Sequence, residues 1–321
     1  SETFVYREVF ALRALGVDVI TASVHPPDQH LGTAALEDLA RSTIPIYGAG
    51  WSALLRDALR RMVAAPVASL ATLLRATIDA ARATDVRGLR RLKILGQALA
   101  GIALAQRVRL FGVVHIHAHM AHVPTTIAMY AAKQCGVTFS FTGHANDLFP
   151  NRSLLSQKIQ RALLVACISN WHRAFYQSIH WRQRRSLPII RCGVDTQSIR
   201  YCPTLHGDRL RVLCVGRLVP KKGFDVLIRA AALAAEADVG RISVTIAGGG
   251  PEEEKLRRIA SSLPSGVEVS LLGETDNETV IEMMANADIV ALPMRVTANG
   301  DRDGIPVVLM EAMARGDRKS V

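Results

Sequence analysis

Short apolar runs of strand length alternate with segments of helical periodicity along most of the chain, and a chain so patterned builds parallel sheets covered by helices. In the C-terminal part, strand patterns at 210–215, 242–247, 267–272 and 289–292 are separated by helical patterns at 223–237, 251–261 and 277–285. The N-terminal part opens with a helical pattern over 1–16, stopped by Gly16. A strand pattern at 17–24 follows, then strands at 112–119 and 137–142 around a helix at 123–135, and a further strand at 162–169. A length of 321 residues fits two domains of about 150 each. The boundaries fall at 1–195 and 209–321, joined by a polar, irregular stretch over 196–208. A doubly wound domain normally begins with a strand, and another apolar strand is due where 316–321 end the chain. The expected architecture is therefore α/β, two Rossmann-like doubly wound domains facing a cleft, lacking the first N-terminal strand and the C-terminal closing region.

Composition excludes several classes. A hydrophobic share of 49% with 21% charged residues describes a globular chain rather than a disordered one. Five widely spaced cysteines without a Cys-x-x-Cys pair point to a reducing compartment and to no disulfide framework. The longest apolar stretches, 62–74 and 94–106, are shorter than the roughly 20 residues of a membrane span. Most of the net charge of +11 comes from residues 51–110, which hold 11 Arg or Lys against 3 Asp. There Arg56, Arg60, Arg61, Arg75, Arg90, Arg91 and Lys93 are interleaved with aliphatic residues at helical spacing. Two readings stay open: a solvated helix face, or a basic amphipathic surface lying on anionic lipid. Nucleic acid is disfavoured, because Trp51 and the flanking Phe111 are too few aromatics for a stacking platform.

The residues that carry chemistry cluster near the C-terminus. Asp303-Gly-Ile-Pro-Val-Val-Leu-Met-Glu311 sets two carboxylates eight residues apart around a tight turn that feeds an apolar helix. Such a turn combines carboxylates for sugar hydroxyls with free N–H groups at a helix start for phosphate. The strand at 210–215 runs into Gly216-Arg217-Leu-Val-Pro-Lys221-Lys222-Gly223, a loop whose guanidinium and ammonium groups suit a diphosphate ahead of a helix. Gly248-Gly249-Gly250 resembles a dinucleotide fingerprint only superficially, since Glu252, Glu253 and Glu254 in the following turn would repel a pyrophosphate. Those glycines are read as turn geometry and close backbone approach.

Six motifs in order resemble the family 4 retaining glycosyltransferases, two-domain GT-B proteins, and especially the branch that builds exopolysaccharides of the colanic-acid type. They are Ser1-Glu-Thr-Phe4, His117-Ala-His119-Met-Ala121, Phe141-Thr-Gly-His144-Ala-Asn146-Asp147, Cys192-Gly-Val-Asp195, the loop 216–223 and the segment 303–314. The resemblance implies that Glu311 binds the ribose hydroxyls of the nucleotide. Asp303 and the backbone N–H groups of Gly304, Ile305 and Val307 would hold the transferred sugar and its phosphate, while Arg217 and Lys222 stabilise the departing diphosphate. Where the family usually has glutamate as the first acid this chain has Asp303, one methylene shorter. His144 would face the donor sugar, with His117 and His119 on the acceptor side. Asn146 and Asp147 read as turn and cap residues.

The resemblance implies transfer of a sugar from a UDP- or GDP-activated donor to a growing, lipid-linked saccharide with retention, no side-chain nucleophile, and neither cofactor nor divalent metal. Such an enzyme is expected at the cytoplasmic side, peripheral at the inner face of the membrane. Two other readings stand beside it. Alternate residues on a strand share a face, so His115, His117 and His119 could serve a metallohydrolase, although no Asp, Glu or Cys accompanies them locally. A truncated chain that binds nucleotide without catalysis is the third.

Overall fold

The computed structural model describes residues 3–27, 33–48, 50–144, 148, 152–179, 186–196, 199, 208–237, 240–304 and 306–315. Most of the 196–208 stretch, together with Asn146, Asp147 and Ile305, lies outside the described residues. The chain divides into two compact units, Glu2–Arg191 and Cys192–Val321.

The N-terminal unit begins with helix α1 (Thr3–Ala14), the short strand β1 (Ala22–Ser23), helix α2 (Ala34–Ser42) and strand β2 (Ile44–Pro45). Only two residues of the 17–24 pattern form a strand, β1, which pairs in parallel with β2. The basic region folds into helices α3 (Gly50–Ala64), α4 (Pro66–Arg82) and α5 (Leu92–Val108). Strand β3 (His115–His119), helix α6 (Val123–Cys135), strand β4 (Thr138–Thr142), helix α7 (Leu155–Arg161), strand β5 (Leu164–Ala166) and helix α8 (Asn170–Ile179) complete the unit. The strands β3, β4 and β5 form one parallel sheet in that order.

Helix α5 is rich in alanine and buried along most of its length, with Ala98, Ala100, Ile102, Ala103 and Ala105 fully inside. Its close approach to α6 depends on Gly101, where a Cβ would stand 2.9 Å from both the Ile127 carbonyl and the Ala131 amide nitrogen. Helix α6 has proline in its first turn and ends on Gly136 in the left-handed conformation (φ 70°), the usual way to stop a helix before a strand. Tyr130, Phe141 and Tyr176 anchor the core between these helices and the sheet.

The C-terminal unit contains strand β6 (Arg209–Val215), helix α9 (Phe224–Glu236), strand β7 (Arg241–Ala247), helix α10 (Glu253–Ala260), strand β8 (Val267–Gly273), helix α11 (Asn277–Asn286), strand β9 (Ile289–Val290) and helix α12 (Val307–Arg315). All pairings are parallel and the sheet order is β8-β7-β6-β9. The chain thus steps outward from β6 to β7 and β8, then returns to the other side of β6 with β9. Ligands of open α/β sheets bind at the carboxyl ends of strands flanking such a reversal, here β6 and β9.

Candidate functional site

The loop leaving β6 is fastened to the loop leaving β7 by backbone contacts. The Leu218 N–H donates to the Gly249 carbonyl (2.9 Å), and the Glu252 N–H donates to the Leu218 carbonyl (3.0 Å). A Cβ at Gly248 would lie 2.1 Å from the Gly216 carbonyl oxygen, and one at Gly250 would lie 2.7 Å from that of Leu218. Gly248 and Gly250 therefore serve backbone approach, while a Cβ at Gly249 would crowd the Glu274 side chain at 3.0 Å. After a 3-10 turn over Pro220–Lys222 the chain turns at Gly223 (φ 69°), where a Cβ would meet the Pro293 carbonyl at 1.9 Å. Only glycine fits there, and the turn sets Lys221 and Lys222 against the segment that follows β9.

That segment supplies two carboxylates. Lys222 Nζ lies 2.6 Å from Asp303 Oδ2, and Lys221 Nζ lies 3.1 Å from Asp303 Oδ1 and 3.2 Å from Asp301 Oδ1. The main chain holds this arrangement, because the Arg295 N–H donates to the Lys221 carbonyl (2.9 Å) and the Thr297 N–H to that of Asp301 (2.9 Å). Burial pushes the Asp303 carboxyl up, but Lys222 and then Lys221 outweigh it and hold the group below the usual carboxylate range. Lys222 also passes close to Gly216, where a Cβ would sit 3.2 Å from its Cε. Helix α12 starts at Val307, four residues beyond Asp303, and turns the positive end of its dipole toward the same segment.

The fold thus brings Lys222 and Asp303 into contact and adds Lys221 and Asp301. Arg217 stands exposed on the same loop, Gly304 is partly buried, and Glu311 is buried on α12. The Asp301 contact had no signature, since residues 80 apart in sequence meet there only because β9 pairs with β6.

In the N-terminal unit the histidines of β3 meet hydroxyls on β4. Parallel register sets His115 opposite Thr138, His117 opposite Ser140 and His119 opposite Thr142. His115 Nδ1 lies 2.7 Å from Thr138 Oγ1 and its Nε2 lies 2.7 Å from Ser140 Oγ; His117 Nδ1 lies 2.6 Å from Ser140 Oγ and its Nε2 lies 3.0 Å from Thr142 Oγ1. The alternating Thr-Phe-Ser-Phe-Thr of β4 was the sequence signal for this ladder. His119 departs from it, turning Nδ1 toward His144 Nε2 (3.4 Å) and Nε2 toward Glu8 Oε2 of α1 (3.5 Å).

His144 is held on several sides. The Phe4 ring stands 4.3 Å away centre to centre, the His119 ring is stacked at 5.6 Å, and His172 Nε2 lies 2.7 Å from the His144 carbonyl oxygen. Burial, then the nearby His144, lowers His119 to about 4, and burial raises the Glu8 carboxyl. Burial also lowers His117, helped by His119 and then His115, so the His117 and His119 rings are neutral near neutral pH.

Residues 197–316 match the family model described as "Glycosyl transferases group 1". A GDP-mannose-dependent alpha-(1-6)-phosphatidylinositol monomannoside mannosyltransferase of Mycobacterium tuberculosis is 31% identical over 51% of this chain and 45% of its own length. The putative colanic acid biosynthesis glycosyltransferase WcaL of Escherichia coli is 35% identical over 41% of this chain and 33% of its own. The chain thus spans less than half the length of these relatives. Among solved structures, the lipopolysaccharide outer core galactosyltransferase WaaB in its apo form superposes with a TM-score of 0.53 at 18% identity, over 70% of this chain and 61% of that one. TarM superposes with a TM-score of 0.53 at 16% identity, over 67% of this chain and 43% of its own. The chain therefore shares the α/β fold of these glycosyltransferase structures, and its residues 197–316 are similar to the group 1 glycosyl transferase domain.

Proposed function

We propose that the protein moves a sugar from a UDP- or GDP-activated donor to a growing, lipid-linked saccharide with retention of configuration. The observation that carries this reading is the meeting of Lys221 and Lys222 with Asp301 and Asp303 at the carboxyl ends of β6 and β9. The ammonium groups and Arg217 suit a diphosphate, and Asp303 suits the hydroxyls of the transferred sugar. A bound donor would take Lys222 from Asp303 and free that carboxylate for the sugar. Glu311 would accept from the ribose, and the backbone N–H groups of Gly304, Ile305 and Val307 would hold the transferred sugar and its phosphate. Positive groups of this kind can offset the diphosphate charge in place of a metal ion, so the proposed donor chemistry needs no divalent cation. His144 would orient a sugar hydroxyl, with His117 and His119 on the acceptor side, while the leaving phosphate helps take the acceptor's proton.

The test is transfer of the natural donor sugar by Lys222→Ala and Glu311→Ala. Losing a group that stabilises the departing diphosphate is expected to lower the rate of Lys222→Ala by about 10²–10³-fold. Unchanged rates in both variants would sink the assignment. Calorimetry with UDP, GDP and their sugars identifies the base.

A membrane-facing role for residues 51–110 belongs to the same proposal. No helix among the described residues is long and apolar enough to cross a membrane. Trp51, Leu55, Leu59 and Val63 nevertheless form an exposed stripe along α3, and Val67, Leu70 and Leu74 are exposed on α4. Arg56, Arg60, Arg90 and Lys93 are exposed nearby, whereas Arg61, Arg75 and Arg91 turn to Gln134, Asp79 and the carbonyls of Ala83 and Val86. An apolar stripe flanked by arginine suits an anionic bilayer surface at the inner face of the membrane. Sedimentation with vesicles containing anionic lipid is expected for the protein and reduced by Arg56→Glu with Arg60→Glu; equal binding to zwitterionic vesicles would remove the electrostatic part.

A further inference from the structure

We propose that Glu8, His117 and His119 form a binding site for a transition-metal ion of the zinc class, with one position left for an oxygen ligand such as water or a saccharide hydroxyl. On sequence alone the histidines of β3 lacked a carboxylate partner. The fold supplies one from α1, and one ligand atom from each of the three residues lies within 4.8 Å of the others. Two imidazoles and a carboxylate are a ligand set that zinc accepts while keeping a fourth position open.

The distances support a shared ion. His119 Nε2 and Glu8 Oε2 are 3.5 Å apart. Two ligands on one tetrahedral zinc, each at about 2.0–2.1 Å, are separated by roughly 3.3 Å. The pair is therefore already spaced for coordination, and His117 is within reach of a side-chain rotation. Outer partners that fix ligand rings are present as well. Ser140 Oγ holds His117 Nδ1 at 2.6 Å, leaving Nε2 on the longer 3.0 Å contact to Thr142, and His119 Nδ1 is engaged by His144 at 3.4 Å. His115 is set apart, because the ligand atoms that converge within 4.8 Å are those of Glu8, His117 and His119. The ligand set is thus not the three alternate histidines that the strand pattern singled out.

The site lies wholly within the N-terminal unit and does not rest on the donor reading, which concerns the C-terminal unit. The full chain, stripped with a chelator and dialysed, is titrated with zinc chloride by calorimetry, and bound metal is counted after gel filtration. One equivalent is expected for the unaltered protein, with affinity lowered at least about tenfold by Glu8→Gln and by His119→Ala and retained by His115→Ala. Zinc is also expected to raise the melting temperature of the unaltered protein and not that of Glu8→Gln. Circular dichroism of the metal-free variants checks folding, and the isosteric Glu8→Gln carries the test if His119→Ala does not fold. No zinc bound by the unaltered protein, or binding kept by Glu8→Gln and lost in His115→Ala, overturns the proposal. UDP and GDP titrations on the same metal-free protein report on the donor site separately.

Discussion

Asp79 and Asp303 are both carboxylates gripped by cations, yet they do different work. Asp79 is buried on α4, where Arg161 reaches it with two nitrogens (2.7 and 2.5 Å) and the Tyr130 hydroxyl donates at 2.9 Å. Arg75 stands at 3.5 Å. The planar fork of arginine fits a carboxylate at two points and pins α4 to α6 and α7. Asp303 instead meets two lysines at the carboxyl ends of parallel strands, where each ammonium is a point charge on a flexible stem. An ammonium can leave its carboxylate for a phosphate oxygen without a fixed geometry to break. The N-terminal pair is therefore geometrically fixed, whereas the lysines of the C-terminal cluster could change partners without breaking a two-point fit.

The largest expected effect is at the fixed pair. Asp79→Ala would leave the partly buried Arg161 guanidinium without its carboxylate, and stability is expected to fall by about 3 kcal/mol, read from the denaturation midpoint of the N-terminal unit. A loss below about 1 kcal/mol would place Asp79 with ordinary surface pairs and erase the contrast. Next comes Asp303→Asn, expected to cost about 1–2 kcal/mol at neutral pH through weakened charge-assisted hydrogen bonds. The folded-state pKa of Asp303 is depressed by Lys222 and Lys221 despite burial, so its contribution is complete above the unfolded value of about 3.9 and is lost as pH falls through the folded value. Melting temperatures of the two proteins should therefore converge in acid below about pH 4; a gap that stays constant would mean the ion pair adds nothing. Least costly for stability is Lys222→Ala, the variant that tests transfer. Lys221 remains 3.1 Å from Asp303, so a loss of about 1 kcal/mol is expected. A large loss of transfer with so small a loss of stability would confirm that this lysine is kept for a ligand.

Much of the fold was legible because strand and helix periods leave separate marks on the sequence. The helices α6, α9 and α11 (Asn277–Asn286) and the strands β4, β6 and β7 lie close to where those periods set them. The 17–24 pattern misled, since an apolar run shows that a segment is buried without showing how many of its residues find a ladder partner. At the candidate sites, Lys222 and Asp303 were readable from residue type and turn context. Asp301 was not, because solvated loop charges and engaged ones look alike in sequence. The exposed stripe of Trp51, Leu55, Leu59 and Val63 was likewise hidden: periodicity marks an apolar face but not whether a neighbouring element covers it.

By itself the sequence determined that this chain builds parallel sheets layered with helices, and that a glycine-turned lysine loop and a carboxylate turn stand among its strand ends. Local period and backbone freedom are enough for that, since each is written in neighbouring residues. Only the tertiary structure decided which of these charges touch. Pairing β9 beside β6 brings Asp303 to Lys222, and packing α1 against β3 brings Glu8 to His119. Such partners are distant in sequence and become neighbours only through strand order and helix packing.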